Sequence, residues 1–194
     1  MKKLASSLLW MVVSLGLVTV IAAAVLSYVH EVTEEPIADM ERQKKIDAIA
    51  EVVPPFDNDP MSDIWVDSES GCTVYIAKKG DDVVGGAVES YSPDGFSGRI
   101  DVIFGFDVEG TVTGYRVINH AETPGLGAKM EQWFRDSQGN RSVIGRNPST
   151  SDMVVAKDGG DVDGITAATI SSRAFLDALR RGYESFKKSN EIAR

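Results

Sequence analysis

From Ala5 to Val29 the chain has no acidic side chain, no lysine, no arginine and no histidine. The heart of this stretch, LLWMVVSLGLVTVIAAAVLSYV from Leu8 to Val29, is about 22 residues long and as a helix spans roughly 33 Å at ~1.5 Å per residue. A buried helix of a water-soluble core would show a polar stripe, and this one has none. Ala22-Ala23-Ala24 imitates the cleavage site of a secretory signal peptide. The apolar run nevertheless continues through Val25, Leu26, Tyr28 and Val29, well past the ~7 to 15 residues such peptides use. The length therefore predicts a single transmembrane helix over 8–29.

Charge predicts its direction. Lys2 and Lys3 precede the span, and His30, Glu31, Glu34 and Glu35 follow it. By the positive-inside bias the short N-terminus, 1–7, is cytoplasmic. The remainder is then expected on the periplasmic or extracytoplasmic side of the inner (cytoplasmic) membrane.

The segment 30–70 reads as a helical stalk and linker. Pro36 is placed where a first helical turn tolerates it, and Ile37, Met40, Ile46, Ile49 and Val53 follow helical spacing up to Pro54-Pro55. PPFDNDPMSD reads as a loop, with Asp57-Asn58-Asp59 solvated. From Thr73 the period changes to two. TVYIAKKGDDVVGGAVESY predicts two strands around a Lys-Gly-Asp-Asp turn, and RIDVIFGFDVEGTVTGYRVINH predicts two more. AKMEQWFRDSQ has helix-forming composition and SDMVVAK reads as a short strand. The last helix, ISSRAFLDALRRGYESFKKS, lines up Phe175, Leu179, Tyr183 and Phe186 on one face. Strands in a run with helices before and after them indicate an α+β fold with an antiparallel sheet.

Several chemistries are excluded. A net charge of −9 repels a phosphate backbone, so nucleic acid is not an expected partner. His30, His120 and Cys72 are the only residues of their types, too few for a tetrahedral nitrogen and sulfur metal site. Cys72, at a strand start, reads as a small buried hydrophobe and not as a nucleophile. GLGAK lacks the spacing of a phosphate-binding loop, and the glycines of VVGGAV fall inside a strand, where they mark a bulge or a close backbone approach.

Two loops stand out, each leaving a strand and entering a helix: NHAETPGLGAK (119–129) and DVDGITAATISS (161–172). In the second, Thr169 lies where a helix begins. Backbone N–H groups there lack intrahelical partners and the macrodipole favours an anion. The small residues before it leave room for a bulky group. The plain alternative is that Thr169 or Ser171 caps the helix.

The run Asp163-Gly164-Ile165-Thr166-Ala167-Ala168-Thr169 resembles the flavinylation motif of FMN-binding domains, Asp-x-x-(Ser/Thr)-Gly-Ala-Thr, whose last threonine carries FMN through a phosphoester. The resemblance makes Thr169 the attachment residue and Asp163, Thr166 and Ala168 parts of the attachment motif. Ala167 departs from the pattern, which has glycine there; if the position needs a positive φ, alanine costs of order 1 kcal/mol. Independently, His120-Ala121-Glu122-Thr123-Pro124-Gly125-Leu126-Gly127 is similar to a loop of the G subunit of Rnf complexes and of the related C subunit of sodium-pumping NADH:quinone oxidoreductases. By this resemblance Glu122, Thr123, Gly125, Leu126 and Gly127 lie near the flavin and 71–194 form the FMN-binding domain.

The resemblance implies an electron-transfer subunit of an ion-translocating ferredoxin:NAD oxidoreductase, with no substrate turnover of its own. It implies as partners a second flavin-bearing integral subunit, iron–sulfur subunits, membrane lipid and a flavin transferase for maturation. With no Asp, Glu, Lys, Arg or His inside the span, ion movement would belong to those other subunits. The chain length fits the Rnf subunit better than its quinone-reductase relative. A stand-alone anchored flavin module that reduces an external reductase, and a non-redox domain in which Thr169 only caps a helix, are the alternatives.

Overall fold

The period-two pattern in the middle of the chain folds as one sheet. The computed structural model describes residues 2–192 and contains two compact units, 1–45 and 46–194. Met1, Ala193 and Arg194, at the outer ends of segments 1–7 and 71–194, lie outside the described residues, as do the side chains of Lys2 and Lys3.

Helix α1 runs from Lys2 to Val52. Its large apolar side chains from Leu8 to Val29 are all more than half exposed, and this part of it is long and apolar enough to cross a membrane. The sequence places Pro36 in a first turn, whereas α1 runs through it. Proline removes one N–H from the ladder and crowds the carbonyl four residues back, a cost of about 3 kcal/mol. Strong helix formers on both sides, among them Glu34, Glu35, Met40, Glu41 and Arg42, carry the helix across it.

Five strands follow: β1 (Ile64–Val66), β2 (Thr73–Lys79), β3 (Asp82–Gly95), β4 (Gly98–Asp107) and β5 (Val112–Asn119). They pair in sequence order, every neighbour antiparallel. Both faces of the sheet are covered. Val74, Val88, Ile100, Val102, Phe104 and Phe106 point to one face, beneath helix α3 (Thr169–Ile192). Tyr75, Ala77, Ala87 and Ile103 point to the other, against Ala48, Ile49, Val52 and Val53 at the end of α1. Double coverage is why β4 reads as a nearly continuous apolar run. The last turn of α1 sits unusually close to the sheet. A Cβ on Gly105 would fall 1.9 Å from the Val52 carbonyl oxygen, and Thr113 Oγ1 donates to that same oxygen, so only glycine fits at 105.

The main core is organised around one ring. Phe175 of α3 stacks on Phe134, 4.4 Å between centroids, and meets Tyr115 of β5 edge-on at 4.9 Å and Phe104 of β4 at 5.4 Å. Such pairs contribute beyond the area they bury.

Besides Pro36, the structure departs from the sequence expectations in four places. Strand β1 arises in a stretch read as linker, and Asp57-Asn58-Asp59 are not simply solvated. Asp57 accepts from the Gly80 N–H at 2.9 Å, while Asn58 accepts from the Lys78 N–H at 2.8 Å and donates to the Ile76 carbonyl at 2.9 Å. These side chains supply ladder bonds at the edge of β2 that β1 is too short to provide. AKMEQWFRDSQ forms only a 3₁₀ turn (Gly127–Lys129) and a one-turn helix α2 (Met130–Trp133). It stops there because Phe134 turns inward to Phe175 and its carbonyl accepts from the Val143 N–H at 3.0 Å. SDMVVAK is not a strand. Met153 and Val155 alternate inward as strand residues would, but the backbone bonds locally, Ala156 N–H to the Val162 carbonyl and Val162 N–H to the Val154 carbonyl.

After β1, Asp67 is buried and ties the strand to the end of α3. Burial pushes its carboxyl up, but hydrogen bonds from the Glu69 N–H, the Ser185 and Ser70 hydroxyls and the Lys188 ammonium outweigh that and bring it down to about 2. Because the folded value lies below the unfolded ~3.9, the carboxylate stabilises the fold above pH ~4 and that contribution is lost as pH falls toward 2. Acid titration of unfolding, followed by tryptophan fluorescence, will show a steeper loss between pH ~4 and ~2 in the wild type than in Asp67→Asn. Phe175→Ala will lower the stability of the folded unit by about 3–5 kcal/mol in denaturant titrations.

Candidate functional site

The two loops singled out in the sequence meet at the start of α3. A cleft of about 300 Å³ opens there, lined by Glu122, Thr123, Leu126 and Gly127 from the first loop, Ala167 to Ser171 from the second, and Phe96 from the β3–β4 hairpin. That volume is at the lower end of small-molecule sites, so a larger ligand would extend past its mouth. The mouth is apolar: Phe96, Leu126 and Ile170 are 67%, 40% and 46% exposed, and exposed large apolar side chains clustered at a cleft mark a binding surface.

The second loop explains its own geometry. The Ala168 N–H bonds the Ile165 carbonyl at 3.0 Å, closing a β-turn over Ile165 to Ala168. Ala167, third in that turn, has φ 63 and is the one non-glycine residue with positive φ among those described. Type II turns demand positive φ at this position and normally take glycine. The glycine of the flavinylation motif therefore has a conformational reason, and alanine here holds the same turn under strain. Ser172 secures the turn from inside the helix: its Oγ accepts from the Ile165 N–H at 2.8 Å and donates to the Ala168 carbonyl at 2.9 Å. Ser172, rather than Thr169, does this tying, and Thr169 stands partly exposed as the first residue of α3, in the cleft wall.

Glu122 joins the three segments. It is 5% exposed; Oε1 accepts from the Ser97 N–H of the hairpin at 3.0 Å, and Oε2 accepts from Ser171 Oγ of α3 at 2.5 Å. A Cβ on Gly127 would fall 2.4 Å from both Glu122 Oε2 and Ser171 Oγ, so the loop must carry glycine to pass this junction. The Glu122 N–H donates to His120 Nδ1 at 3.2 Å, leaving Nε2 to face Glu131 at 3.3 Å. His120 thereby shapes the loop instead of entering the cleft. Cys72 is fully buried with Ser90.

Of the predicted site residues, Glu122, Thr123, Leu126, Gly127, Ala168 and Thr169 come together in the cleft. Three do not line it. Gly125 sits in a turn at φ 77 and Thr166 is exposed. Asp163 looks the other way: its carboxylate accepts from the Asn140 N–H at 2.9 Å and its carbonyl from Trp133 Nε1 at 2.8 Å, which anchors the long connection between α2 and α3. Phe96, Ala167, Ile170 and Ser171 join the lining without being predicted site residues; Ala167 stands out in sequence only as the departure from the motif, and an aromatic at a hairpin tip and a hydroxyl in the first helical turn are the other signals.

The chain is also similar to known proteins. Residues 95–184 match the FMN-binding domain family. The chain is 31% identical over 189 residues to the G subunit of the ion-translocating oxidoreductase complex of Aliivibrio fischeri strain MJ11, covering 91% of this chain and 89% of the relative. It is 35% identical over 180 residues to the corresponding G subunit of Yersinia pestis, covering 87% and 85%. It is 34% identical over 180 residues to that of Salmonella typhimurium strain LT2, covering 87% and 86%.

Replacing Ala167 by glycine relieves the positive-φ strain. Ala167→Gly will stabilise the folded unit by up to about 1 kcal/mol and raise its melting temperature by about 2–4 °C, measured by differential scanning calorimetry in detergent.

Proposed function

The chain belongs to the family of G subunits of ion-translocating oxidoreductase complexes, and from that premise we propose that it is the complex's electron-transfer subunit, holding FMN at the N-terminus of α3. The single observation that carries the reading is the convergence of two loops, some forty residues apart in sequence, on one apolar-mouthed cleft with Thr169 among its lining residues.

The residues present suit the group. Phe96, Leu126 and Ile170 offer apolar surface to a ring system. The first turn of α3 offers N–H groups without intrahelical partners and the positive end of the helix dipole to a phosphate. FMN, when bound, supplies the redox chemistry. The chain's own contribution is position and electrostatics. Thr169 Oγ1 would hold the phosphate as an ester, the turn over Ile165 to Ala168 would bring the backbone close without a bulky side chain, and the apolar mouth would exclude water from one side of the ring. An ester keeps an electron carrier from diffusing away from a membrane surface, which no affinity alone ensures.

Around this site we assign 8–29 as the membrane span, 30–70 as the stalk and linker, whose strand β1 joins the edge of the sheet, and 71–194 as the FMN-binding domain. Asp163 acts within the attachment motif as the residue that fixes the loop. Lys2 and Lys3 before the span and the acidic residues after it support a cytoplasmic N-terminus and a flavin domain on the periplasmic or extracytoplasmic face. The partners are the other membrane subunits of the complex, among them a second flavin-bearing subunit and iron–sulfur subunits, with a flavin transferase needed for maturation.

The test is intact mass of the full chain produced together with a flavin transferase, beside Thr169→Ala. The expected outcome is one added FMN ester with in-gel flavin fluorescence in the wild type, and neither in the variant. An unmodified wild-type chain beside a control protein flavinylated in the same cells would remove the ester from the proposal.

A further inference from the structure

Glu122 is a buried carboxyl group bonded by an amide and a hydroxyl but by no basic side chain among the described residues. Both of its oxygens accept hydrogen bonds, from the Ser97 N–H at 3.0 Å and from Ser171 Oγ at 2.5 Å. An ionised carboxylate suits both contacts, since it can accept from the Ser97 N–H and from the Ser171 hydroxyl at once. The 2.5 Å separation is in the range of a hydroxyl bonded to an anion. Among the described residues no lysine or arginine forms an ion pair with it: the arginines nearest in sequence, Arg116 and Arg135, pair with Glu51. Its one histidine neighbour, His120, touches its backbone and turns its other nitrogen to Glu131. Even so, Glu122 forms part of the cleft wall that also contains Thr169. Buried carboxylates without a cation are rare, because desolvation penalises them heavily. Two hydrogen bonds would hold the three segments together equally well if the residue were a glutamine.

We propose that Glu122 is a potential-setting residue: its carboxylate places a fixed negative charge in the wall of the flavin cleft and makes the flavin harder to reduce. This rests on the flavin-carrier reading above. In a titration each oxidised, neutral ring takes up two electrons from dithionite, which is oxidised to sulfite, and one proton from solvent, giving an anionic reduced ring. The added negative charge is repelled by the carboxylate, which is buried, and Coulomb interactions in buried surroundings exceed their strength in bulk solvent. Ser171 moderates the effect, because its O–H dipole points at Oε2 and offsets part of the charge.

The charge and the hydrogen bond make predictions of opposite sign. Glu122→Gln keeps the shape and can still bond both Ser97 and Ser171, but it removes the charge. Its midpoint potential will shift positive, with the ratio of reduced to oxidised flavin at the wild-type midpoint rising on the order of tenfold. Ser171→Ala keeps the charge and strips its compensation, so its potential will shift negative. A merely structural role, in which either change loosens the cleft, would move both variants in the same direction.

The experiment uses full chains in detergent, produced with a flavin transferase and checked by intact mass before a dithionite titration against a reference dye. Flavin on the wild type with the two opposite shifts supports the proposal. Flavin present with an unchanged potential in Glu122→Gln, or with both variants shifted the same way, overturns it and leaves the flavin-carrier reading standing. No flavin on the wild type overturns both. If Glu122→Gln does not fold, Ser171→Ala decides alone: a negative shift supports the proposal, and an unchanged or positive one overturns it.

Discussion

The packing of Phe175 between Phe134, Tyr115 and Phe104 is the contact on which the rest of the site depends. It pins the second turn of α3 to β4 and β5, and since a helix is stiff, Thr169 six residues earlier is placed with it. Phe134 in turn ends α2, so the loop carrying Glu122 to Gly127 is held at both its ends, by β5 before it and by the buried Met130 and Phe134 after it. The cleft therefore results from core packing, with the bond between Glu122 and Ser171 joining the two loops.

A second constraint acts on the other face of the sheet. Gly105 and Gly114 are paired in the register of β4 and β5, and the absence of side chains there lets the last turn of α1 settle onto the strands. At Val52 the chain leading into the sheet thus lies in close backbone contact with β4 and β5.

Ala167 shows how a family motif and a backbone requirement come apart. The motif's glycine answers to a positive φ, and the turn is retained here with alanine at φ 63. The surrounding bonds, Ser172 to Ile165 and to Ala168, over-determine the loop enough to hold a residue that the turn alone would reject. Strain of this kind concentrates where geometry serves function, and the residue two positions beyond it is Thr169.

Much of this protein was legible in one dimension because it obeys local rules. An uncharged run of membrane-spanning length, alternation along β2 to β5, the apolar face of α3 and the two loops with helix-start chemistry are all patterns of period or composition. What those patterns could not express was decided by contacts between distant segments. Strand β1 exists because β2 needs an edge partner. The predicted helix after Lys129 lasts one turn because Phe134 is drawn into the core, and SDMVVAK is no strand because its residues fill that core without a ladder. Asp163 and Thr166, equal members of the motif on paper, part company in space, one bracing a loop and the other facing solvent. The role of Glu122 is visible only where Ser97, Gly127 and Ser171 close around it, since burial of a charge is a property of its surroundings, and no spacing within a sequence encodes those.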